Sequence, residues 1–124
     1  MLTFEQTNIL GQILSDNSAP GQGNIARINS HMQGDSLILT YKTIVNFACE
    51  KGLRAQTDKL AFESSDVLNK KVSNIKKLFK EASEDSLSLK EVGVSDDVEL
   101  IQGSSVSPVK VAYYRRKAVF RIEN

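Results

Sequence analysis

The sequence predicts an α+β protein with helices packed on one face of a mostly antiparallel sheet. Two patterns carry this expectation. A 3.6-residue apolar stripe runs from about Thr57 to Ala82, and a two-residue apolar alternation runs through residues 37–49 and recurs after Glu84. The segments after Glu84 are joined by short connections, which suit antiparallel pairing. The expected order is a short N-terminal helix, a β-hairpin, a long amphipathic helix and about three antiparallel strands, in one domain spanning residues 1–124.

The first helix opens on Thr3 and Gln6, at capping-box spacing. Ile9, Leu10, Ile13 and Leu14 then form one apolar stripe. Pro20, Gly21 and Gly23 end it in a loop.

Gly34 and Asp35 mark a turn, with residues 24–32 expected as the strand before it. From Leu37 the odd positions are Leu37, Leu39, Tyr41, Thr43, Val45, Phe47 and Cys49, a β-branched and aromatic face. A helix also fits residues 37–51, with Gly52 as its C-terminal cap. The strand is preferred because Leu39 and Phe47 fall off the helical stripe.

The long helix carries Leu60, Ala61, Val67, Leu68, Val72, Ile75, Leu78 and Phe79 on one side, with Lys70, Lys76, Lys77 and Lys80 away from it. After residues 83–86 break the pattern, "LSLKEV" and "DVELIQ" alternate as two strands, with a turn expected over Gly93–Asp96. "GSSVSP" reads as a loop. "VKVAYYRRKAVFRIE" reads as one long final strand, with no internal Gly, Pro, Asn or Asp.

The formal net charge is +1, which argues against coating nucleic acid through bulk charge. The distribution is more informative. Between residues 81 and 99, Glu81, Glu84, Asp85, Glu91, Asp96, Asp97 and Glu99 oppose only Lys90, a net of −6. Between residues 108 and 124, Lys110, Arg115, Arg116, Lys117 and Arg121 oppose Glu123, a net of +4. Two such segments are expected to pair as neighbouring strands.

Catalytic chemistry has little to work with. His31 is the single histidine and Cys49 the single cysteine, so neither a disulfide nor a Cys/His zinc cluster is available. His31 is expected at a strand end, and Cys49 as a small hydrophobe on the strand face. "VSDDVE" lacks the ligand spacing of a calcium loop, and "NSAPGQGN" matches no phosphate or dinucleotide motif. The expectation is a protein without enzymatic activity, metal or cofactor. No stretch suits a bilayer span or a signal peptide, so a cytoplasmic location is expected.

The one segment that suggests a ligand is the last. Alternation puts Tyr113, Arg115, Lys117 and Arg121 on one face of the final strand, with Val109, Val111 and Val119. Ala112, Tyr114, Ala118, Phe120 and Ile122 form the core face, on which Arg116 is an anomaly needing an acidic partner, a route past the sheet edge or a bulge. Tyrosines that stack on bases and cations that meet phosphates suit a nucleic-acid surface. Lys70, Lys76, Lys77 and Lys80 are candidate assistants. The same strand also reads as a basic neighbour for the acidic segment, and this plainer reading carries more weight. The functional expectation is a small binding module for nucleic acid, with homo-oligomeric assembly or a protein partner as the alternative.

Overall fold

A computed structural model describes residues 2–16, 26–101 and 110–123. Its elements are α1 (Phe4–Asp16), β1 (Arg27–Gln33), β2 (Ser36–Phe47), α2 (Glu50–Ser83), β3 (Ser88–Ile101) and β4 (Lys110–Glu123). The four strands form one antiparallel sheet in the order β1-β2-β4-β3. Thus the last strand is central, and β1 and β3 are the edges. The α+β class is as expected. The expected "NSAPGQGN" and "GSSVSP" loops lie outside the described residues.

The capping box forms as its spacing requires. The Thr3 N–H donates to Gln6 Oε1 at 3.0 Å, and the Gln6 N–H donates to Thr3 Oγ1 at 3.1 Å. Leu10 and Leu14 on the predicted stripe are buried. In the hairpin, Gly34 has φ +62°, a left-handed conformation that glycine adopts without a Cβ clash. The Ile122 N–H donates to the Asp35 carbonyl, tying this turn to β4.

The strand reading of residues 37–47 holds. Leu37, Leu39, Tyr41, Thr43, Val45 and Phe47 are all buried, because a period of two sends each to the helix-covered face. Cys49 departs from expectation. It lies beyond β2, exposed, at the N-cap of α2. Helix α2 begins at Glu50 rather than near Thr57, so Gly52 sits in its first turn and not in a C-terminal cap. No side-chain hydrogen bond caps this start, and the first intrahelical bond runs from the Leu53 N–H to the Cys49 carbonyl. Gln56 Nε2 also donates to the Asn46 carbonyl at 2.7 Å, holding the helix start against the end of β2.

The core joins Leu10 and Leu14 of α1, Leu37, Leu39, Tyr41 and Val45 of β2, Leu68, Ile75 and Phe79 of α2, and Tyr114, Ala118 and Phe120 of β4. Tyr41 and Tyr114 meet edge to face, with ring centroids 6.4 Å apart. The helix ends at Glu84, whose φ of +66° turns the chain and whose N–H donates to the Lys80 carbonyl. Gln6 Nε2 reaches Asp85 Oδ2 at 2.7 Å, linking α1 to this end of α2.

The main difference lies in β3. The expected turn over Gly93–Asp96 does not form, and the two expected strands are one of 14 residues. Pairing with β4 accounts for it. Val94, Asp96 and Val98 stand opposite Ala118, Arg116 and Tyr114, and Asp97 stands opposite Arg115. Cross-strand partners of this quality outweigh the local turn composition. The register slips once, between Glu91 and Gly93, leaving Val92 as the extra residue of a bulge.

Deleting residues 119–124 would remove Phe120 from the core, a loss of about 1.5–3 kcal/mol for that side chain alone. The truncated protein is expected to melt at least about 5 °C below full length in a calorimetric scan. A difference of less than about 2 °C would mean that this strand contributes nothing to the fold.

Candidate functional site

The alternation of β4 sorts its charges onto two surfaces. Ala112, Tyr114, Ala118 and Phe120 are buried beneath α2, and Tyr113, Arg115, Lys117 and Arg121 are on the other side of the sheet. Among the described residues no helix packs on that second side.

The predicted site residues on β4 do share one face, but each has a different surrounding. Tyr113 is half-buried, with Lys42 Nζ 4.1 Å from its ring centroid. Arg115 Nη2 is bonded to Asp97 Oδ2 at 2.7 Å and to Glu99 Oε2 at 2.8 Å. Arg121 Nη2 bonds Glu123 Oε1 at 3.1 Å. Lys117 is exposed between Thr40 of β2 and Ser95 of β3. Arg27, Lys42 and Arg115 lie directly opposite one another in a single cross-strand row that ends on Asp97. Sequence reasoning did not assign Arg27 or Lys42, because only the pairing of β1, β2 and β4 brings them beside Arg115.

Lys70, Lys76, Lys77 and Lys80 are exposed on α2, on the opposite side of the sheet from Tyr113 and Lys117. The structure therefore does not gather the two predicted sets into one surface. Lys70 is paired with Asp66 at 3.0 Å.

Arg116 faces inward and finds its acidic partner. Its Nε donates to Asp96 Oδ1 at 2.6 Å and its Nη2 to Asp96 Oδ2 at 3.0 Å, a two-pronged pair. Its Nη1 donates to the Ala61 carbonyl of α2 at 2.8 Å. Donating these hydrogen bonds to Asp96 raises the Arg116 pKa above its ordinary value. The bulge at Val92 makes this pair possible. A one-residue shift exchanges the two faces of a strand, and here it puts Asp96 beside Arg116 and Asp97 beside Arg115.

A second surface was not foreseen. Residues 90–100 of β3 are all exposed, and on its helix side Val94, Val98 and Leu100 are 45%, 39% and 66% exposed. Helix α2 lies over β2 and β4, and Ser65, Asn69, Glu91, Val94 and Arg116 line a groove between it and β3. Phe62, 81% exposed, shares the flank of Ser65 and Asn69 by helical spacing. The sequence signal was present in the alternation of Val94, Val98 and Leu100, but a turn placed at Gly93–Asp96 interrupts it.

Among the described residues no three His, Cys, Asp or Glu side chains form a group suited to a metal ion, and no helix is long and apolar enough to cross a membrane. His31 is exposed within β1. Comparison with family models, curated proteins and solved structures finds no match to this chain.

Removing the carboxylate in Asp96→Ala leaves the Arg116 side chain, only 18% exposed, without its ionic partner. The expected loss is about 1–3 kcal/mol in a urea titration, with part regained when Arg116→Met is added. A loss no larger than that of an exposed β3 residue would show that the pair is not structural.

Burial raises the pKa of both Tyr41 and Tyr114 above the ordinary value of 10.0. Glu63's charge adds to the rise at Tyr41, and the Ser64 hydroxyl, 3.3 Å away, opposes it at Tyr114. The folded state thus holds these protons more tightly than the unfolded chain. Their contribution is complete below pH 10 and falls as pH rises from there through the folded values. The urea midpoint should decline above pH 10, and less steeply in Tyr114→Phe. Identical slopes would contradict this.

Proposed function

We propose that the protein is a non-catalytic interaction module that engages protein partners along β3 and the groove beside α2. One observation carries this reading: a 14-residue edge strand with Val94, Val98 and Leu100 exposed on its helix side. A strand edge offers unpaired backbone donors and acceptors, and stable monomers usually cover or shorten such edges. Adding a strand from a partner satisfies the backbone and covers the apolar side chains together.

A second reading, nucleic-acid binding, draws on the helix-free face. Lys117, the Lys42–Tyr113 pair and Arg27 suit a single-stranded ligand with stacked bases. It is weakened by the carboxylates that already hold Arg115 and Arg121.

Selection from a displayed random-peptide library, with binding sites mapped by amide NMR shifts, tests the first reading. Selected peptides are expected to perturb residues 92–100 and to bind poorly to a Val98→Lys, Leu100→Lys variant. Equal binding to that variant would reject it. Fluorescence anisotropy with oligonucleotides tests the second, which requires binding that weakens as salt rises and is lost in Lys117→Glu.

A further inference from the structure

The edge of β3 carries a charge signature as well as an apolar one. Lys90 stands against Glu91, Asp96, Asp97 and Glu99, a net of −3 along the strand. Its inner neighbour is the most basic strand of the protein, and the two meet through Arg115 with Asp97 and Glu99, and Arg116 with Asp96. Side chains of a strand project to its faces and not to its edges, so the same carboxylates also flank whatever lies on the outer edge. Capacity remains there. Arg115 engages one oxygen of Asp97 and one of Glu99, and their side chains stay 63% and 58% exposed. Among the described residues Glu91 makes no ion pair, and it lines the groove with Val94.

We infer that the outer edge of β3 receives an extended, cationic segment of another protein, alternating basic and apolar residues, as a fifth strand of the sheet. This rests on the reading of β3 as the docking edge. A second copy of the same strand fits less well. Pairing β3 with itself opposes two acidic strands, and like charges across a strand pair are destabilising. The cations of β4 lie one strand spacing further in, about 4.8 Å, and screen this only in part. The acidic edge thus discourages self-pairing and favours a basic partner, which is how charge sets specificity at an interface. The apolar residues of the incoming strand would cover Val94, Val98 and Leu100 on the helix side, and its cations would reach Asp97 and Glu99 on the other face.

The probe is a synthetic peptide with the sequence of residues 110–123, because β3 already accepts that pattern on its inner edge. The control replaces its Arg115, Arg116, Lys117 and Arg121 by glutamate. Anisotropy of the labelled peptides is read against the intact protein at rising salt, with amide NMR to locate the contact. The expected result is binding of the basic peptide, weaker at higher salt, with shifts in residues 90–100 and the internal β3–β4 cross-peaks retained. Asp97→Asn should weaken it about fivefold, the upper end for one exposed ion pair. Melting of that variant is checked in parallel, and Val98→Lys provides a second disruption on the same strand.

Two failures are distinguishable. If the glutamate peptide binds β3 as well as the basic one, the docking edge stands and the charge assignment is overturned. If no peptide perturbs β3, both are overturned. Concentration-dependent dimerisation by sedimentation, lost in Val98→Lys, would replace the foreign strand with a second copy and also overturn the inference.

Discussion

Arg116 joins three elements at one point. Its backbone belongs to β4, its guanidinium is held by Asp96 of β3, and it donates to the Ala61 carbonyl of α2. A strand period of two forces this side chain toward the helix, where a bare charge would be costly. The two-pronged carboxylate pair and the carbonyl together satisfy it. This arrangement ties α2 to β4 and β3. The helix packs closely over β2 and β4, where Leu39, Tyr114 and Phe120 meet Leu68, Ile75 and Phe79. Beside β3 it leaves a groove, lined by Arg116 and Val94 among others.

The position of β4 follows from the same chemistry. A strand with an aromatic and aliphatic inner face and a cationic outer face could have closed the sheet as a charged edge. Instead it lies between β2 and β3, with both backbone edges paired. The acids of β3 neutralise Arg115 and Arg116 from one side. From the other, Lys42 of β2 stands opposite Arg115 and lies over the Tyr113 ring. What remains exposed at the edge is the acidic strand, not the basic one. The exposed edge on this side of the sheet therefore lies one strand outward from the basic segment.

The polar contacts beneath the helix follow one rule. Ser64, fully buried on α2, shares a hydrogen bond with the Tyr114 hydroxyl and donates to the Ala61 carbonyl. That carbonyl also accepts from Arg116. A buried hydroxyl without a partner costs stability, so these groups meet one another within a few residues of the ion pair. The result is a polar seam between an otherwise apolar helix and sheet.

Local pattern alone determined the capping box at Thr3 and Gln6, the Gly34–Asp35 hairpin, the buried face from Leu37 to Phe47, the stripe of α2 and the two faces of β4. Each depends on side-chain period or on a backbone preference within a few residues. It also made the acidic and basic segments neighbours, because opposite charge of that density seldom stays apart. Tertiary structure alone decided four things. It continued β3 through a stretch with turn composition, because Ala118, Tyr114 and the arginines of β4 supplied partners there. It placed the bulge at Val92, whose single-residue slip assigns Asp96 to Arg116. It began α2 at Glu50 without a capping side chain, since Leu53 and Gln56 gain contacts that no local signal records. Finally, it put the lysines of α2 and the outer face of β4 on opposite sides of the sheet. Whether two basic segments form one surface depends on the path of the chain between them, and no period within either segment carries that information.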